Sequence, residues 1–151
     1  GCFWGVEHLL EESPGVVSAE SGYMGGSKEN PSYKDVTSGK SGHAEAVRVV
    51  FNPDRVSFET LAKLFFEIHD PTQVDRQGPD RGTQYRSAVF TVGPHQERIT
   101  NALIERLEKK GLRVATKVQP AGIFWPAEGY HQDYYKKTGK TPYCHARTPR
   151  F

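Results

Sequence analysis

Along the chain, apolar residues recur at helical spacing in some stretches and alternate with polar ones in others, and this pattern predicts most of the elements. Phe3, Val6 and Leu10 form a stripe that Leu9 widens and Pro14-Gly15 stops, so residues 4 to 13 read as a helix with Cys2 at its N-terminus. Val16 to Tyr23 reads as a strand. Gly25, Gly26, Asn30, Pro31, Ser38, Gly39 and Gly42 then mark a long loop, and loops of that length inside a domain usually carry function. From Ala44 to Phe51 the residues alternate, with Glu45, Val47, Val49 and Phe51 on one face and Ala46 and Arg48 on the other. A carboxylate on the more apolar face of a strand is an anomaly. After the Asn52-Pro53-Asp54 turn, Ser57 caps a helix whose stripe is Phe58, Leu61, Leu64, Phe65 and Ile68, and Asp70-Pro71 ends it.

A second polar loop, Thr72 to Gln84, leads into a strand from Tyr85 to Val92. Pro94 opens another helix, with Ile99, Ala102, Leu103 and Leu107 inward and Gly111 as its stop. Val114 to Val118 reads as a short strand and Glu128 to Lys137 as a short aromatic helix. The remainder, residues 138–151, is rich in Pro, Gly and basic residues and reads as a mobile C-terminal tail. The order α-β-β-α-β-α-β, with a further strand expected ahead of Cys2, matches the split βαβ (ferredoxin-like) arrangement. The expected fold is therefore α+β: a two-layer α/β sandwich with a mixed or antiparallel sheet and long loops.

Composition narrows the picture. With 36% hydrophobic residues, a chain of 151 suits a single domain over 1–151 with one core. Lys and Arg number 20 against 18 Asp and Glu, and a net charge of +2 spread along the chain points to neither nucleic acid nor an acidic membrane surface. No window approaches the roughly 18 apolar residues of a membrane span. Cys2 and Cys144, near opposite ends, make neither a disulfide framework nor a CxxC pair, so cysteine matters here as chemistry. The histidines at 8, 43, 69, 95, 131 and 145 show no HxxxH or HxH spacing, and no metal site is expected.

The unpaired N–H groups and positive dipole end of a helix N-terminus favour thiolate over thiol, which makes Cys2 a candidate nucleophile. A lone cysteine is more often a buried structural residue, and Phe3 and Trp4 suit either an apolar cradle beside a reactive sulfur or plain helix core. Glu45 is either desolvated among Val47, Val49 and Phe51, which favours its protonated form, or reaches water from the strand end.

Gly1-Cys2-Phe3-Trp4-Gly5 resembles the signature of the A-type peptide methionine sulfoxide reductases. Asn30-Pro31-Ser32-Tyr33, Gly42-His43-Ala44-Glu45, the run from Gln77 to Ser87 and Tyr130-His131-Gln132-Asp133-Tyr134 resemble further blocks of that family in the same order, so the resemblance spans nearly the whole chain. It implies thiol-dependent reduction of methionine-S-sulfoxide, free or in proteins, with no bound cofactor. By resemblance, Cys2 attacks the sulfoxide sulfur, Phe3 and Trp4 hold the S-methyl group, and Glu45 supplies the proton that the departing oxygen needs. Tyr33 and Tyr85 match two tyrosines whose hydroxyls bond the sulfoxide oxygen. Asp80 matches an acidic residue that orients substrate backbone or water, although Asp after Gly-Pro is also an ordinary turn former. His43 and His131 lie in family blocks and are expected to support the structure rather than to react.

Attack leaves a sulfenic acid on Cys2. Cys144, in Pro142-Tyr143-Cys144-His145, resembles the family's resolving cysteine, which implies a Cys2–Cys144 disulfide reduced by a thioredoxin-like partner. The further C-terminal cysteine of some relatives has no counterpart in these residues. The expected setting is a cytoplasmic monomer that repairs oxidised proteins and engages neither nucleic acid nor membrane. Two other readings of the residues stand beside this one. They are a Cys-His acyl-transfer enzyme built on Cys2 and one of the histidines, and a non-catalytic binder of oxidised methionine.

Overall fold

The computed structural model describes residues 1–143 and 145–151. Its elements in chain order are α1 (Phe3–Glu11), β1 (Val16–Met24), α2 (Tyr33–Thr37), β2 (Ala44–Phe51), α3 (Phe58–Glu67), β3 (Arg76–Gln77), β4 (Asp80–Arg81), β5 (Ala88–Thr91), α4 (Pro94–Lys109), β6 (Lys117–Pro120), β7 (Trp125–Pro126) and α5 (Tyr134–Thr138). Single 3-10 turns lie at Thr83–Tyr85 and Gly129–His131. This is the expected α+β architecture, with both antiparallel and parallel pairing. β1 pairs antiparallel with β2, from Val16 opposite Phe51 to Met24 opposite Ala44, and its other edge takes β7 at Gly22 and Tyr23. β3 and β4 form a tight hairpin, and β5 and β6 pair in parallel. An apolar cleft of about 440 Å³, lined among others by Val47, Val49, Phe65, Val89 and Phe90, lies between β2 and β5.

The helices pack as their stripes direct, with one instructive exception. Val6 and Leu10 of α1 meet Ile68, with Leu64 and Phe65 beside them. α3 is covered on two sides rather than along the single predicted stripe, because Ala62 and Phe66 also face Leu103 and Leu107 of α4. A helix held between two others needs apolar residues around most of its circumference. On α4, Leu103 and Leu107 point inward as predicted but Ala102 is exposed. Thr100 is buried instead, and its hydroxyl is satisfied by donating to Gln96 O at 2.8 Å.

Other departures from the sequence pattern have local causes. The loop from Gly25 to Gly42 contains α2, started by a reciprocal capping box between Ser32 and Asp35 that puts Tyr33 in the first turn. Tyr85 sits in the 3-10 turn before β5 rather than in a strand, and the strand expected at 114–118 runs instead over Lys117–Pro120. The aromatic helix expected from 128 to 137 is broken at Gln132 and Asp133, where Asp133 adopts φ 52°. The cause is tertiary: the Gln132 amide donates to Ser21 O and Ala127 O, and the Asp133 N–H donates to Glu7 Oε1 at 2.6 Å. β7 leaves no pattern in the sequence because it is two residues long and one of them, Pro126, has no N–H to pair.

Residues 145–151, part of the expected tail, are docked along α3. Buried Glu67 accepts from the Arg147 guanidinium at 3.1 Å and from Arg150 N–H at 2.9 Å, while its carbonyl accepts from Thr148 N–H at 2.7 Å. Arg150 Nε donates to Phe66 O at 2.8 Å, and Phe151 packs against the α3–α4 cluster beneath Arg106 and Lys110. Cys144, the expected resolving cysteine, lies outside the described residues.

Candidate active site

Cys2 is the N-cap of α1, with extended backbone (φ −73°, ψ 121°) and a buried side chain. The amide that follows it is taken by a side chain from the strand behind: Phe3 N–H donates to Glu45 Oε1 at 3.1 Å. The alternation of β2 thus puts Glu45 inward, at the end of the strand nearest the N-terminus of α1. It is 7% exposed, which rules out the reading in which it reaches water. Burial first, and negative charge at Cys2 second, outweigh the Phe3 hydrogen bond and push its pKa up to about 8. At neutral pH it is a carboxylic acid with a proton to give.

Tyr33 enters the site from α2 and Tyr85 from the 3-10 turn, and the two phenols lie close enough to perturb each other. Burial, followed by the charge of Glu45, raises the pKa of both, so both are phenols and donors across the physiological range. Phe3 and Trp4 face a cluster of rings. The Phe3 ring lies 5.8 Å from Tyr23 and 5.1 Å from His131, and Trp4 stacks on Tyr134 at 3.8 Å. Trp4 Nε1–H donates to His131 Nδ1 at 3.0 Å, which fixes His131 as the tautomer protonated on Nε2, and burial lowers its pKa. Asp80, in β4, accepts from the Tyr143 hydroxyl at 3.2 and 3.3 Å on its two oxygens, and its charge is felt at Glu45 and Tyr85. The predicted residues Cys2, Phe3, Trp4, Tyr33, Glu45, Asp80 and Tyr85 are therefore brought to one place.

Three further residues hold that place together. Glu128 accepts from Tyr23 OH at 2.9 Å, Tyr33 N–H at 3.0 Å and Tyr130 OH at 3.2 Å. Burial pushes its pKa up, but these donors outweigh it and keep the carboxyl below its ordinary range. Two of its three partners, Tyr33 and Tyr23, are 95 and 105 residues away, and nothing in the sequence announces them. Glu7 was legible, since it falls inside the Phe3, Val6, Leu10 stripe. It is fully buried, accepts from Ser21 N–H at 3.1 Å and Asp133 N–H at 2.6 Å, and burial raises its pKa. His43 accepts from Gly26 N–H at 3.0 Å and donates to Lys28 O at 2.7 Å, stapling the loop that carries Tyr33.

A buried thiol at a helix N-terminus, flanked by a neutral acid and two phenols, can attack an electrophilic centre while protonating the oxygen that leaves it. That is the equipment of a thiol-dependent oxidoreductase. Comparison with known proteins makes the class particular. The family model described as peptide methionine sulfoxide reductase matches residues 1–151. The peptide methionine sulfoxide reductase MsrA of Acidobacterium capsulatum is 50% identical over 148 residues, covering 96% of this chain and 94% of the relative. Among solved structures, reduced Mxr1 from Saccharomyces cerevisiae superimposes with a TM-score of 0.89 at 35% identity, over 97% of this chain and 87% of that one. Mxr1 in complex with Trx2 superimposes at 0.62 and 25% identity, over 97% and 84%. The chain belongs to the peptide methionine sulfoxide reductase family, and its activity is the thiol-dependent reduction of methionine sulfoxide, a repair of oxidised proteins. No helix among the described residues is long and apolar enough to cross a membrane.

Proposed function

We propose that Cys2 is the nucleophile and Glu45 the acid in the conversion of methionine-S-sulfoxide to methionine. The Cys2 sulfur attacks the sulfoxide sulfur as Glu45 passes its proton to the oxygen, and the Tyr33 and Tyr85 hydroxyls donate to that oxygen as charge gathers on it. Phe3 and Trp4 hold the S-methyl group, and Asp80 orients the substrate backbone. The oxygen leaves with Cys2, giving methionine and a sulfenic acid. The Cys144 thiol then displaces water to form a Cys2–Cys144 disulfide, which a thioredoxin-like dithiol reduces. The Trx2 complex of Mxr1 supports that choice of partner. The observation that carries the reading is the Phe3 N–H to Glu45 contact, with the acid held neutral one residue from the sulfur. The protein then works as a single-domain monomer in the cytoplasm with neither nucleic acid nor membrane as partner, and its small, evenly spread net charge supports the last of these.

Single-turnover chemistry tests the assignment. Cys2→Ser should release no methionine, because a hydroxyl is a poor nucleophile here and forms no sulfenic acid. Cys144→Ser should release one equivalent per enzyme and then stop with thioredoxin, leaving a dimedone-reactive Cys2, while dithiothreitol restores turnover. Undiminished thioredoxin-driven cycling of Cys144→Ser would remove Cys144 from the mechanism.

A further inference from the structure

We propose that His145 is a positioning residue for the second half of the cycle, pinning the chain next to Cys144 against the helix end that carries Cys2. The proposal rests on the reading of Cys144 as the resolving cysteine. His145 is 5% exposed, whereas Tyr143 before it is 61% exposed and Ala146 and Arg147 after it lie on the surface. Its Nδ1–H donates to Ile68 O at 2.7 Å, at the C-cap of α3. The ring lies flat on two glycines of α1 and its lead-in. A Cβ placed on Gly1 would stand 2.6 Å from His145 Cε1, and one on Gly5 would stand 2.5 Å from Cδ2 and 3.1 Å from Cγ. Gly5 is a buried residue inside a helix, where alanine would be preferred, so close approach of the imidazole is what requires glycine there. Downstream, the Glu67 contacts with Arg147, Thr148 and Arg150 hold the chain on the same helix.

One peptide unit separates consecutive Cα atoms by about 3.8 Å, so a residue that adjoins an anchored one has little distance to search. Proximity of that kind converts an encounter into a first-order step. The step is balanced: Cys2–SOH and Cys144–SH give the disulfide and water, with no outside reductant. The external dithiol then supplies two electrons and two protons to regenerate both thiols.

The test separates the two halves of the cycle. His145→Ala is mixed with one equivalent of a methionine sulfoxide peptide, and methionine release, dimedone adduct and disulfide are followed in time. Methionine should appear at the wild-type rate, disulfide should form about tenfold more slowly or worse, adduct should accumulate, and thioredoxin-driven turnover should fall while dithiothreitol-driven turnover persists. His145→Asn, whose amide nitrogen can take the place of Nδ1 towards Ile68 O, should recover most of the lost rate. Gly5→Ala should slow disulfide formation in the wild-type background and add nothing in the His145→Ala background, where the ring it strikes is gone. Disulfide formation at the wild-type rate in His145→Ala would overturn the proposal. So would an equal loss in both halves without rescue by Asn, because that is the signature of a merely structural residue. Cys144→Ser run in parallel identifies a failure of the underlying reading, since its continued cycling with thioredoxin would remove the step that His145 is proposed to serve.

Discussion

Glu45 and Glu128 border the same cluster of Phe3, Tyr23 and Tyr33, and the protein treats them oppositely. Glu45 is almost fully buried and takes the N–H of Phe3, and burial wins, so that its pKa rises to about 8. Glu128 is half-buried and takes two phenolic hydroxyls and the Tyr33 N–H, and the donors win, so that it stays ionised. The same side chain becomes an acid where donors are withheld and water excluded, and a brace where donors are supplied. The two roles meet at Tyr33, whose backbone Glu128 holds while its hydroxyl is left to the site.

The largest expected effect sharpens that contrast. Glu45→Gln keeps the shape and removes the proton, so methionine release in a single turnover should slow about 100-fold or more. In the wild type the same rate should decline as pH rises through about 8, because the acid form is being lost, and this alkaline limb should vanish in Glu45→Gln. A limb that survives the substitution would assign the acid to another group. Stability runs in the same direction. The folded state holds the Glu45 proton more tightly than the unfolded chain, so ionisation opposes folding increasingly from the ordinary value of 4.5 up to about 8.

Glu128→Ala should act otherwise, leaving the limb at pH 8 in place while it destabilises the fold. It strands the fully buried Tyr23 hydroxyl and the Tyr33 N–H, for about 1–3 kcal/mol in denaturant unfolding. An alkaline limb displaced by this substitution would mean that the two carboxylates titrate together, and the contrast would fall.

The smallest effect carries the same rule to bases. His69 lies buried between Phe65 O and the Ser87 hydroxyl, and burial lowers its pKa to about 3, as it lowers that of His145 to about 4. The unfolded chain binds protons near pH 6.5 that the folded chain refuses, so stability is full above that value and lost as pH falls towards 3 to 4. Measured in Glu45→Gln, where the opposing titration of Glu45 is removed, the Tm should drop by about 2–4 °C between pH 7 and pH 6. A Tm that is flat over this range would show these histidines charging without cost.

What the sequence determined by itself was local. Periodicity placed Cys2 at a helix start and Glu45 on the inner face of its strand, because the side-chain repeats of helices and strands are set by the backbone alone. Glu7, inside an apolar stripe, and the Ser32–Asp35 pair, at the spacing that starts a helix, carry local signals of the same kind, although the sequence pattern predicts only a loop over residues 25–42. Only the tertiary structure decided the rest. α3 acquired a second buried face because α4 packs there, and the helix expected around residue 132 was broken because Glu7 takes the Asp133 N–H and Ser21 holds the Gln132 side chain. Glu128 and His131 became parts of the site through partners 95 to 127 residues away. A pattern along the chain records which way a side chain points, and the pKa of Glu45 depends on what arrives there from elsewhere to exclude water.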